Sequence, residues 1–107
     1  IEAGEDIVEA ARRELREETG FEANPLGILW VYNAVVRDSV GRVQYHFVII
    51  DILFDSESIR GTARPGGDAV DIAWFELGEV LRRDDVTGST KRLVERILLH
   101  GVKYLPL

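Results

Sequence analysis

Three glutamates, Glu14, Glu17 and Glu18, stand three and four residues apart in the charged run Glu5 to Phe21. On a helix that spacing puts their carboxylates on one side within a single turn, where like charges repel by a few tenths of a kcal/mol per pair. Two arrangements offset the repulsion. Arg12, Arg13 and Arg16 can form ordinary ion pairs on the helix surface, or a hard divalent cation such as Mg²⁺ or Mn²⁺ can take the carboxylate oxygens as ligands, with water and a substrate phosphate completing its shell.

The run itself predicts one amphipathic helix. It has good helix formers, no proline and no internal glycine, and Ile7, Ala11 and Leu15 recur along one apolar stripe. Gly20 stands where a left-handed C-terminal cap is wanted, and Glu5 and Asp6 are expected in the first turn, where the helix dipole favours negative charge.

The order of residues narrows the choice. From Glu5 the chain runs seven residues to Arg13-Glu14, then Leu15, Glu17-Glu18, Gly20 and the apolar Phe21. This resembles the Nudix box, Gly-x5-Glu-x7-Arg-Glu-U-x-Glu-Glu-x-Gly-U with U a bulky apolar residue, at every fixed position from the first glutamate onward. The opening glycine would fall two residues before Ile1, so the chain is expected to be N-terminally incomplete, one domain over residues 1–107 without the strands that precede the box in the family.

The resemblance implies a metal-dependent hydrolase of the phosphoanhydride in a nucleoside diphosphate linked to another group. It makes Glu17 and Glu18 direct ligands of Mg²⁺ or Mn²⁺ and Glu14 a third ligand or the holder of a metal-bound water. Arg13 and Glu5 become partners that fix the glutamates, although a plain first-turn role explains Glu5 equally well. A further acid from a later loop completes such sites, and Asp68, after Gly66-Gly67 and before Trp74, is the candidate, with Asp71 and Glu76 as rivals and a loop-capping aspartate as the bland alternative. Tyr45-His46-Phe47-Val48, Asp68-Ala69 and Ala73-Trp74-Phe75 look most like the members acting on ADP-ribose and similar nucleotide sugars. The alternatives are a pyrophosphohydrolase of oxidised nucleoside triphosphates and a regulatory domain that binds a nucleotide without cutting it.

The elements that must position these groups follow from pattern. Gly27 to Val36, rich in Val, Ile, Trp and Tyr, reads as a strand with Trp30, Tyr32, Ala34 and Val36 on one face, Arg37 to Arg42 as a hairpin loop, and Val43 to Phe54 as the partner strand. The unbroken Phe47-Val48-Ile49-Ile50 predicts that both faces of that strand are covered, with the box helix on one side and the last helix on the other. This gives an α/β/α sandwich with a mixed sheet, the fold the Nudix resemblance also implies. Asp55 to Gly67 reads as a surface loop with an edge segment, Ile72 to Phe75 as a short strand, Glu76 to Leu81 as a turn of helix, and Thr90 to His100 as a helix capped by Ser89 and ended by Gly101.

Other side chains have structural readings beside functional ones. Trp30 and Tyr32 can stack on a base but are more often core residues, and Arg60 and Arg64 can grip phosphate but are more often solvated loop residues. His46 reads as a half-buried structural histidine, and the helix dipole accounts for His100. A net charge of −6 argues against a nucleic-acid backbone or an anionic membrane as the main partner and leaves a small phosphorylated molecule, for which a bound cation reverses the local field. With no cysteine the chain suits a reducing cytoplasm, no apolar run is long enough to span a bilayer, and a homodimer would cover an open sheet edge.

Overall fold

The computed structural model describes residues 1–67 and 71–107. Helix α1 spans Ile7–Thr19, so its start lies later than Glu5 and Asp6, the acids expected in its first turn. Asp6 is instead the N-cap, accepting from the Glu9 backbone at 2.8 Å, while the Glu9 carboxylate accepts from the Asp6 N–H at 3.4 Å. This reciprocal pair satisfies donors that a helix end otherwise leaves open, and Glu5 is released from the helix altogether. At the other end Gly20 adopts φ 76°, and its N–H closes on the Arg16 carbonyl at 2.9 Å.

Two long strands, β2 (Pro25–Arg37) and β3 (Val43–Phe54), follow the two-residue β1 (Phe21–Glu22). Asp38 makes the reversal between them, its carboxylate accepting from the Val40 and Arg42 backbones at 3.0 Å each. A 3₁₀ turn at Ser56–Ser58 leads to β4 (Arg60–Gly61), the edge segment foreseen within the loop. α2 covers Leu77–Val80, α3 covers Gly88–His100, and β5 is Leu105–Pro106. Thr87, not Ser89, caps α3, accepting from the Thr90 N–H at 3.3 Å. The strand expected over Ile72 to Phe75 does not form.

The protein is thus a mixed α and β structure, with β1 paired to β4 and a second sheet in the order β3-β2-β5. Every pairing among the described residues is antiparallel, where a mixed sheet was expected. The β2–β3 link is too short for anything else, since parallel neighbours need a crossover of a dozen residues or more. α1 lies over the face carrying Ile50 and Ile52, and α3 over the face carrying Trp30 and Tyr32.

These two covers do not reach the whole hairpin. Phe47, Val48 and Ile50 are exposed, as are Val35, Val36 and Tyr45 opposite or beside them, so the expected burial of both faces of β3 fails towards the turn. The cause is length. A helix of 13 residues is about 20 Å long, whereas a 12-residue strand extends about 40 Å. Among the described residues the buried apolar ones are Ala10, Ala23 and Val94, on or beside the two long helices and the start of β2. No helix among the described residues is long and apolar enough to cross a membrane.

Candidate active site

Glu5, outside the helix, turns its carboxylate back along α1 to meet Arg13. The guanidinium forks onto it, Nε donating to Oε2 at 2.8 Å and Nη2 to Oε1 at 2.9 Å, and the Glu2 N–H adds a third bond at 3.0 Å. The side chains of this pair are 14% and 21% exposed, which makes it the most shielded ion pair among the described residues. Bidentate charge-assisted bonds of this kind fix geometry as well as charge. The Arg13 bonds, with the Glu2 N–H behind them, hold the Glu5 carboxyl down at about 2, and Glu5 in turn drives the Arg13 pKa upward.

Arg13 then reaches the glutamate run. Its Nη1 donates to Glu17 Oε2 at 3.1 Å, and its Nη2 lies 3.9 Å from Glu14 Oε1. Of the three arginines expected to offset the glutamates, only Arg13 does so. Arg12 and Arg16 pair with no carboxylate among the described residues.

Glu14 and Glu18 stand together along a cleft of about 180 Å³ between α1 and β3, whose floor includes Ala11, Leu15, Ile50 and Ile52. Glu17 is turned aside towards Arg13. All three carboxylates are exposed, and among the described residues no three His, Asp or Glu groups are gathered closely enough to hold one ion. The donor set suits Mg²⁺ or Mn²⁺ in kind, being hard oxygen ligands on one helix turn beside an open cleft. Convergence on an ion requires Glu17 to rotate away from Arg13, a change within the rotamer freedom of an exposed side chain.

The loop after β4 packs on the last turn of α1. Arg64 N–H donates to Thr19 O at 2.8 Å and Gly66 N–H to Glu18 O at 3.2 Å, so backbone contacts carry this loop against the glutamate run. A side chain at Gly66 would run into the Glu17 carbonyl, which explains the bare backbone there. Asp68, the expected further acid, lies outside the described residues. Of its rivals, Asp71 caps the next N–H, accepting from Ile72 at 2.8 Å, and Glu76 sits before α2 without a capping bond.

The remaining candidates are dispersed. Trp30 lies under the Arg96 guanidinium, 4.6 Å from the ring centre, and Tyr32 Oη meets Ser89 Oγ at 3.3 Å, so both face α3 on the opposite side of the sheet from Glu14 and Glu18. Arg64 is at the C-terminal end of α1 with Gly20, Thr62 and Ala63. His46 Nε2 bonds Asn33 Oδ1 at 2.9 Å on an exposed part of the hairpin, so the histidine is hydrogen-bonded as expected but not half-buried, because no helix covers the strand there. A lone acid within the apolar run of β3, Asp51, is set opposite Trp30 and has its pKa raised by burial.

A helix whose acidic side borders a cleft, anchored by the fork of its own Arg13 onto Glu5 of the preceding turn and buttressed by a glycine-bearing loop, is the arrangement the box pattern calls for. The NUDIX domain pattern matches residues 1–97, and the chain belongs to that family, whose members generally use divalent metals such as Mg²⁺ or Mn²⁺. It is similar to an ADP-ribose pyrophosphatase of Methanocaldococcus jannaschii, 35% identical over 80 residues, covering 75% of this chain and 44% of the relative. It is also similar to the phosphatase NudJ of Escherichia coli strain K12 and of Shigella boydii, 28% identical over 104 residues, covering 97% of this chain and 65% of each relative. The chain spans between under half and about two thirds of the length of these curated relatives.

Proposed function

We propose that the protein hydrolyses a phosphoanhydride bond in a nucleoside diphosphate linked to another group, ADP-ribose or a related nucleotide sugar, and releases a nucleoside monophosphate and a sugar phosphate. The observation that carries the reading is the Glu5–Arg13–Glu17 chain of bonds, which spans the box from its first glutamate to its Glu-Glu pair beside the cleft lined by Glu14 and Glu18.

In this reading Glu14, Glu17 and Glu18 supply oxygen ligands for Mg²⁺ or Mn²⁺, and Arg13 with Glu5 sets the direction from which Glu17 swings. A divalent ion held there would supply charge to neutralise phosphate oxygens and to lower the pKa of water. Asp68 would complete the metal site or act as the base, and Arg64 would meet a phosphate at the end of α1. Trp30 and Tyr32 hold the layer beneath through α3, so a base-stacking role for either demands a substrate that reaches the far side of the sheet. The relative named for ADP-ribose supports the substrate class, and an acidic, cysteine-free chain suits a small nucleotide partner in the cytoplasm.

A second reading comes from the relatives named phosphatase, which cover nearly the whole chain. It is removal of a terminal phosphate from a nucleotide. Product analysis with Mn²⁺ separates the two: ADP-ribose giving AMP supports the first, and inorganic phosphate from a nucleoside diphosphate or triphosphate supports the second. Glu17→Gln should lower the rate of either by about a hundredfold or more, as loss of one charge-stabilising group in an enzyme site does. Equal rates in the variant and the parent protein would remove the role given to Glu17.

A further inference from the structure

Arg12 and Arg16 leave α1 on the side away from the glutamates. At 100° per residue, each lies about 160° around the axis from Glu14 and Glu18 respectively. There they border a recess of about 160 Å³ with Glu22 of β1, Ala23 and Arg60 of β4. Three guanidiniums thus meet one carboxylate, in a chain whose net charge is −6. The single contact between them is loose, Arg60 Nη2 standing 3.9 Å from Glu22 Oε2.

Ordinary helix physics accounts for only part of this cluster. Arg16 falls in the last turn of α1, where the dipole favours a cation, but Arg12 lies a turn earlier and gains little from it. Arginines four apart on one side repel by a few tenths of a kcal/mol, and of the α1 arginines only Arg13 pairs with the helix's own carboxylates among the described residues. β1 and β4, the two short strands that place Glu22 and Arg60, bring the third guanidinium to the same opening.

We propose that this recess is an anion site for a single phosphate group, inorganic phosphate or the terminal group of a phosphomonoester, separate from the acidic cleft across the helix. Guanidinium forks match the oxygen pairs of phosphate, and three forks answer a tetrahedral dianion better than a planar, singly charged carboxylate. The volume is below the 300 Å³ or so of a pocket that encloses a whole small ligand, so the phosphate enters and the remainder of a phosphomonoester stays outside. Arg60 exchanges its loose contact with Glu22 for the phosphate, and Glu22 weakens binding by adding a competing negative charge.

The test is a titration of the isotopically labelled protein with inorganic phosphate and, separately, with AMP, followed by amide NMR without divalent metal. The acidic cleft then cannot bind phosphate through an ion, and the result is independent of the hydrolysis proposed above. Saturable shifts centred on Arg12, Arg16, Glu22, Ala23 and Arg60 are expected. They should weaken about tenfold or more in the Arg12→Gln/Arg16→Gln double variant, strengthen in Glu22→Gln, and stay the same in Arg42→Gln, a turn residue bonded to Asp38. Tighter binding of AMP than of inorganic phosphate identifies a phosphomonoester as the ligand, and the reverse order identifies free phosphate. Shifts centred elsewhere, no saturable shifts, or shifts indifferent to the double variant overturn the proposal.

Discussion

The base of the molecule and the tip of its hairpin hold their side chains by different means. Around α1 the geometry comes from short-range hydrogen bonds: the Asp6–Glu9 cap, the Glu5–Arg13 fork eight residues apart, and the Gly20 closure. At the tip, Val36, Tyr45, Phe47 and Val48 are apolar residues without a covering layer, held by the β2–β3 ladder and by Tyr45 and Phe47 stacked 6.3 Å apart. Polar bonds there are exposed, in the Asp38 turn and between His46 and Asn33 across the strands. The difference shows that precision in placing charge and burial of apolar surface are separate achievements, and that only the first is concentrated where chemistry is proposed.

Substitutions should divide along the same line. The largest effect on stability is expected at Gly20, where a Cβ would meet the Thr62 carbonyl in a left-handed conformation at φ 76°. Gly20→Ala should cost about 1–3 kcal/mol in denaturant unfolding, the range of a strained backbone residue. An unchanged midpoint would show that the end of α1 is looser than described.

Acid should act next, through Glu5. Its carboxyl is held at about 2, below the ordinary 4.5, so its contribution is complete above pH 4.5 and is lost as pH falls towards 2. Unfolding midpoints of the parent protein should therefore drop across that window more steeply than those of Glu5→Gln, which lacks the titrating group. Parallel curves would mean that the fork is not held in solution.

Smaller effects belong to the α3 layer and the tip. Tyr32→Phe removes a single 3.3 Å bond to Ser89 and should cost about 0.5–1.5 kcal/mol, with KM for the nucleotide unchanged within about twofold. A large rise in KM would bring the substrate to the α3 side of the sheet. Phe47→Thr, on an exposed strand position, should change stability by no more than about 0.5 kcal/mol, and a greater loss in the isolated chain would reveal a cover for the tip.

What was legible in the sequence follows the same division. The helix, Gly20, the hairpin with β3 at Val43–Phe54, and the common face of Trp30 and Tyr32 are encoded in spacing of a few residues, and each appears as expected. Coverage was not legible, because Phe47-Val48-Ile49-Ile50 states only that the residues are apolar, and whether a helix reaches them depends on relative lengths. The start of α1 was misplaced because Glu5 and Asp6 are both acceptable in a first turn, and the choice was made by Arg13, eight residues away. Thr87 displaced Ser89 as a cap for a related reason: either hydroxyl can cap, and the N–H it meets decides. Charge alone likewise could not assign partners among Arg12, Arg13 and Arg16, since the side of the helix that meets Glu5 selects Arg13.

The most direct test of the central claim is Mn²⁺ added to the labelled protein, read as paramagnetic broadening of amide signals. Broadening centred on Glu14, Glu17 and Glu18, and lost in a Glu17→Gln/Glu18→Gln variant that keeps its fold, is the predicted result. Broadening centred elsewhere, or the same in the variant, would contradict a metal site on the acidic side of α1.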